Sequence, residues 1–332
     1  MYMRIRKTSI TVTLLLLILV GFAQLYGFPD TASAPYDEAA GAANPDGDVS
    51  ETPDIPEPPD TPSPPEPLPE IEPEDDFITL HMDDSDVTRG NLVLINHDHR
   101  YDIPGDLDLV SVSDAKTPSY RVTDGNVLVD SMLIEPLNSM MDAFFEETGN
   151  GSVTVNSAFR DYEKQLQILN EYILQMGRNE ALKWAALPGY SEHHSGLAID
   201  LGIFSGGRVR TFTGTGIYSW FRENSYKFGF IARYTIDKSE ITGVSDEPWH
   251  FRYVGNPHAS FMHENNWCFE EYMELIMEHS FEEPFEALFE GELYWVYSTH
   301  DTEVRIPFDC EFDISGNNMD GFIVTARLQE GL

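Results

Sequence analysis

The chain has 332 residues, with 57 Asp and Glu against 20 Lys and Arg, a formal net charge of −37. An acidic balance of that size excludes nucleic acid as a partner, because phosphates require a basic surface. The length allows one large or two modest domains, and two cysteines, Cys268 and Cys310, rule out a disulfide framework while allowing a single bridge.

In chain order, residues 1–28 come first. Arg4, Arg6 and Lys7 precede an apolar run from Ile10 to Phe28, long enough to cross a membrane as a helix with the N-terminus in the cytoplasm and everything downstream exported. A cleaved signal peptide is the competing expectation, since Thr31-Ala32-Ser33-Ala34 supplies an A-x-A pattern. Localisation is therefore expected at the cell membrane with the rest of the chain outside, or secreted. Residues 29–77 follow, and between Pro29 and Asp76 there is no Lys or Arg. Proline-rich, self-repelling acidic sequence cannot build a core and is expected to be an extended spacer, about 3 Å per residue where polyproline II forms.

Residues 78–280 carry the patterns of a folded domain. Asn91 to Asn96 reads as a first strand. Ser131 to Glu147 has the apolar spacing of a helix with one buried face, Val153 to Val155 reads as a strand, and Tyr162 to Met176 as a helix with Leu166, Leu169, Ile173 and Leu174 inward. The second half of Ser191–Gly202 reads as a buried strand, Gly216–Phe228 as a helix, and Ile231–Tyr234 and Trp249–Val254 as strands. The expected class is α+β, helices packed on a small, mainly antiparallel sheet. Residues 283–332 alternate as a small β-rich appendage, with Ser315-Gly316-Asn317-Asn318 as a turn.

Three clusters bring polar residues into apolar surroundings. His193 and Asp200 are separated by a Ser195-Gly196 break that lets the chain turn, so both side chains can face one point. Glu247-Pro248-Trp249-His250 sets a carboxylate beside an imidazole. Imidazole nitrogen and carboxylate oxygen suit zinc, with water in the remaining position of a catalytic site. Glu247 is then placed to take a proton from that water. Ser157-Ala158-Phe159-Arg160 ends a strand, and a fixed guanidinium there can stabilise an oxyanion. Taken singly, each cluster is more often structural than catalytic. Beside His193 on a turn, His194 is expected to point away, Trp249 to pack and orient His250, and His97 and His99 to lie at the surface or a pocket rim.

Jointly the clusters are more specific. From Asn91 to Glu278 the chain resembles the VanY-type zinc D-Ala-D-Ala carboxypeptidases. Their S-x-H-x-x-G-x-A-x-D motif is matched by Ser191, His193, Gly196, Ala198 and Asp200, and their E-P-W-H-F-R-Y-V-G stretch stands unbroken from Glu247 to Gly255. S-G-Y-R-S-Y-x-x-Q is matched at Ser157, Arg160, Tyr162 and Gln165, and K-Y-G-F-I-x-R-Y at Lys227–Tyr234 with Phe228 in place of the first Tyr. Ala158, Phe159, Asp161, His194 and Ser195 depart from the pattern without removing a ligand. The resemblance implies one zinc per chain on His193, Asp200 and His250, Glu247 as base, and Arg160 stabilising the transition state. It places Ser191, Gln165 and Ser157 among the substrate contacts. The implied activity is D,D-carboxypeptidase action on peptidoglycan stem peptides. An L,D-carboxypeptidase acting on tetrapeptide stems and a non-catalytic wall-binding module are the alternatives.

Overall fold

Among the described residues, fourteen strands and five helices of six residues or more follow in chain order. The strands are β1 (Phe77–His81), β2 (Leu109–Ser111), β3 (Arg121–Val122), β4 (Leu128–Asp130), β5 (Val153–Ser157), β6 (Ala198–Ser205), β7 (Arg208–Thr211), β8 (Phe230–Ala232), β9 (His250–Tyr253), β10 (Phe285–Phe289), β11 (Glu292–Thr299), β12 (Glu303–Pro307), β13 (Glu311–Gly316) and β14 (Phe322–Leu328). The helices are α1 (Ile134–Thr148), α2 (Tyr162–Met176), α3 (Ser219–Asn224), α4 (His258–Asn265) and α5 (Phe269–Met277). This computed structural model describes residues 77–328. The expected membrane segment and all but the last residue of the acidic spacer lie outside that range. Among the described residues, no helix is long and apolar enough to cross a membrane.

The central sheet runs β3-β5-β6-β9-β8, with β7 also on β6. All its pairings are antiparallel except β3 with β5. Strand β6 organises it. Its first half, Ala198–Asp200, pairs with β9, and its second half, Gly202–Ser205, pairs with β7. The register sets Asp200 opposite His250 on one side and Ser157 on the other, so three polar residues line up in one row across three strands.

Alternation along β6 sends Ile199 and Leu201 into the main core, where α1 adds Leu137, Met140, Met141 and Phe144 at helical spacing. Helix α2 spans the expected residues and is capped by Asp161, whose carboxylate accepts from Lys164 N. Its inward face is narrower than its sequence suggested. Leu169 is buried, but Leu166 and Leu174 are exposed, Leu174 to 87%. The helix packs only on a small cluster with Ala181 and Ala185, so it does not need the full apolar stripe.

Two further expectations are corrected. The stretch 91–96 is buried but is not a strand. Side chains and loops satisfy its backbone: Leu92 N donates to Ser315 Oγ, Leu94 N to Asn317 O, and Asn318 Nδ2 donates to Leu94 O. The stretch 216–228 is broken into 3-10 turns at 216–218 and 225–228 around α3, and closed by Gly229 at φ +80°.

The C-terminal strands form an antiparallel sheet, β10-β11-β14-β13; of the expected turn, Ser315 and Gly316 end β13 and the chain bends after them, at 317–321. One face puts Val296 and Ile323 into a cluster with Leu92, Ile231, Phe269 and Met273. The other puts Tyr297 and Val324 against Val304 and Ile306 of β12, which pairs with β1. These strands thus share one core with α4, α5 and the 91–96 stretch. Cys268 and Cys310 are both free thiols.

Candidate active site

The row set by β5, β6 and β9 opens into a cleft of about 760 Å³, bounded on one flank by Gln165, Ile168 and Tyr172 of α2. At its floor, His193, Asp200 and His250 each offer a ligand atom, all within 4.8 Å of one another. His193 reaches the floor because residues 192–195 form a 3-10 turn ended by Gly196 at φ +76°, after which the chain re-enters the sheet as β6. The glycine is required there: a Cβ would sit 2.9 Å from Asp130 N, in a backbone region L residues avoid.

Each imidazole is oriented from behind. His193 Nδ1 donates to Ala158 O at 2.6 Å. Its Nε2 then faces Asp200 Oδ2 at 3.3 Å, and it is the buried side-chain polar atom without a hydrogen-bond partner among the described residues. Burial, reinforced by Arg160, lowers the pKa of His193 to about 4, so its lone pair is free at neutral pH. His250 Nε2 meets Glu192 Oε2 and its Nδ1 meets Asp200 Oδ1, each at 3.1 Å. Burial opposes charge on this ring, but the two carboxylates prevail and raise it to about 9.

Arg160 Nη2 donates to Asp200 Oδ2 at 2.8 Å. Ser157 Oγ and Gln165 Oε1 hold the same guanidinium at 3.2 and 3.1 Å. The Gln165 amide nitrogen donates to Ala186 O, so both ends of this buried side chain are engaged inside the protein. Glu247 lies 3.9 Å from His250 Nδ1 and lines the cleft, as does Ser191. Burial, with Asp200 nearby, pushes Glu247 up to about 7 against the pull of His250 and Arg160.

All eight residues singled out in the sequence therefore meet in one cleft. Of the others, His194 is fully buried and turned away: its Nδ1 donates to Arg160 O and its Nε2 accepts from Gly189 N. It pins the loop before Ser191 to the end of β5. His97 lies on the cleft rim, and Trp249 packs against the main core. The sequence reading missed what stands behind His250. Glu192 is wholly buried, its Oε1 accepting from Arg233 Nε at 2.8 Å and Arg252 Nη1 at 3.3 Å. Arg233 also makes a two-pronged pair with Glu270. The available signal was charge inside apolar strands: Arg233 follows Phe230-Ile231-Ala232, and Arg252 sits between Phe251 and Tyr253.

A family model described as VanY, D-alanyl-D-alanine carboxypeptidase, matches residues 126–256. A D-alanyl-D-alanine carboxypeptidase of Enterococcus faecium is 35% identical over 245 residues, covering 72% of this chain and 76% of that protein. Another, from Enterococcus faecalis, is 34% identical over 214 residues, 60% of this chain and 72% of the other. Among solved structures, the vancomycin-resistance D,D-dipeptidase VanXYg in complex with a D-Ala-D-Ala phosphinate analogue matches 76% of this chain and 99% of its own, at 32% identity and a TM-score of 0.67. With His193, Asp200, His250, Glu247 and Arg160 in one cleft, and that extent of likeness around them, the chain belongs to the VanY family of D-alanyl-D-alanine carboxypeptidases.

Proposed function

We propose that this protein is a zinc D,D-carboxypeptidase that removes the terminal D-Ala from peptidoglycan stem peptides outside the cytoplasmic membrane. The observation that carries the reading is the convergence of His193, Asp200 and His250, with the unpartnered Nε2 of His193 aimed at the other two. Two nitrogens and a carboxylate oxygen at that separation fit a zinc ion. When bound, zinc supplies Lewis-acid polarisation of the scissile carbonyl and lowers the pKa of water.

The side chains do the remainder. Glu247, raised to about 7 by burial, is matched to accept a proton near neutral pH and to return it to the amine of the departing D-Ala. Arg160 presents its guanidinium to the negative charge that develops on the carbonyl oxygen. Ser157 and Gln165 act through it, since their polar groups hold Arg160 in place, whereas Ser191 is free to meet the peptide. The basic and apolar N-terminal segment supports an external site, with the acidic spacer as a tether or leader remnant.

The test is to incubate purified protein with a pentapeptide stem ending in D-Ala-D-Ala and a tetrapeptide stem ending in a single D-Ala, and to weigh the products. Loss of one D-Ala from the pentapeptide alone is expected. Loss from the tetrapeptide alone would reassign the enzyme as an L,D-carboxypeptidase, and loss from neither would leave a binding module.

A further inference from the structure

A second cavity, of about 320 Å³, is separate from the cleft and shares no lining residue with it. Three pieces of chain enclose it: residues 222–226 at the end of α3, residues 230–238 from β8 onward, and the corner between α4 and α5. Its floor is apolar, with Phe230, Ile231 and Met262 buried. Tyr226 and His263 stack nearly parallel with ring centroids 3.8 Å apart, and Trp267 adds a third lining ring. Ser225 and Thr235 supply hydroxyls and Asn266 a side-chain amide.

The charges around it select against an ionic ligand. Three cations line the cavity and each already has a carboxylate: Arg222 meets Asp246 at 3.4 Å, Lys238 meets Glu271 at 2.8 Å, and Arg233 meets Glu192 and Glu270 at 2.8 and 2.6 Å. Burial lowers the pKa of His263, so that ring is neutral at neutral pH. A phosphate or carboxylate would find no unpaired positive charge to offset its desolvation. A neutral ligand with hydroxyls, an amide, an apolar methyl and a C–H face fits every part of the lining. We infer that this cavity is a saccharide subsite for an N-acetylated amino sugar of the glycan strand that carries the stem peptide, a role that rests on the peptidoglycan reading of the cleft and extends it. The positive C–H edges of a sugar ring suit aromatic π faces, its hydroxyls and amide suit Ser225, Thr235 and Asn266, and the acetyl methyl suits the apolar floor.

The two cavities are neighbours. Tyr234 lines the cleft, whereas Arg233 and Thr235 on either side of it line the second cavity, so one short segment separates them. That partition is stiff. Glu192, which holds Arg233, also accepts from Arg252, whose Nη2 is seated on the carbonyls of Asn91 and Val93, each at 3.0 Å. A stem of five residues spans at most about 18 Å when extended, enough to bridge sites that a single segment divides.

The test compares, on the full chain, a free pentapeptide stem with the same stem carried on its N-acetylglucosamine–N-acetylmuramic acid disaccharide, for the wild type, Ser225→Ala and His263→Ala. In the wild type the disaccharide-linked stem is expected to have a KM about 10-fold lower at unchanged kcat. Each variant should lose about 3- to 10-fold of that advantage while cleaving the free stem at the wild-type rate. Equal KM for the two substrates in the wild type, or an advantage that survives in both variants, would overturn the subsite. The indole N–H of Trp267, assigned with Trp267→Phe, gives an NMR readout that needs neither turnover nor a second variant. Adding the disaccharide without peptide should shift it saturably, and the absence of a shift refutes the inference. Failure to cleave either stem, with the Trp267 signal still shifting, would remove the peptidase reading and leave the saccharide site standing.

Discussion

Glu247 and His258 show two uses of burial on single side chains. For Glu247 the raised pKa suits proton transfer, and replacing it by Gln keeps the shape while removing the proposed base. Hydrolysis of the pentapeptide stem by Glu247→Gln should fall by about 10²–10⁴-fold with zinc content unchanged, which paired activity and metal assays would check. His258 lies outside the cleft, buried between α5 and β14, with Tyr272 OH at 2.7 Å and Thr325 Oγ1 at 3.0 Å. Burial lowers its pKa to about 3. The unfolded chain takes up a proton at this ring near pH 6.5, while the folded protein resists until about pH 3. The neutral ring carries no penalty above pH 6.5, and stability is lost as pH falls through that window, by about 3 kcal/mol at pH 4. Urea unfolding at pH 7 and pH 4 should show a smaller acid loss in His258→Gln; an identical loss would assign the sensitivity elsewhere.

Among elements, the turn between His193 and β6 is the most demanding. Gly196→Ala combines a left-handed residue with a contact of 2.9 Å to the backbone nitrogen of Asp130. A destabilisation of about 2 kcal/mol or more is expected, together with weaker zinc binding as His193 shifts relative to Asp200; calorimetry and metal titration measure the two. Elements that depend on local pattern were legible in the sequence. Helix α2 was readable from its periodicity, and β5, β6 and β9 from short branched or aromatic runs beside polar motifs. Elements defined by distant partners were not. Residues 91–96 look like a strand, yet their backbone partners are the Ser315 hydroxyl and the 317–318 turn, more than 200 residues away. Leu166 and Leu174 fit an apolar stripe, but only packing tells which part of a stripe has a neighbour. The same limit applied to the site. The proposed ligands and base stood in recognisable motifs, whereas the pairing of Glu192 with Arg233 and Arg252 exists only once β8 and β9 are side by side.

At the scale of the whole molecule, the sheet of β10, β11, β13 and β14 completes the core instead of decorating it. Val296 and Ile323 fill the cluster that α4, α5 and Leu92 line from the other side. A chain ending at residue 282 would expose that cluster and also lose Ser315, Asn317 and Asn318, the partners of the 91–96 stretch. It should show no cooperative thermal transition and no zinc uptake; a well-folded, metal-binding truncation would prove the catalytic part self-sufficient. The seat of Arg252 on Asn91 and Val93 carries a consequence for timing. Those carbonyls are positioned by contacts spanning 223 and 224 residues, and contacts of such sequence separation form late because long loops must close first. Synthesis delivers the proposed metal ligands well before it delivers the strands that steady them. A nascent chain therefore carries its proposed ligands early but can steady the site only after residues 315–318 have emerged.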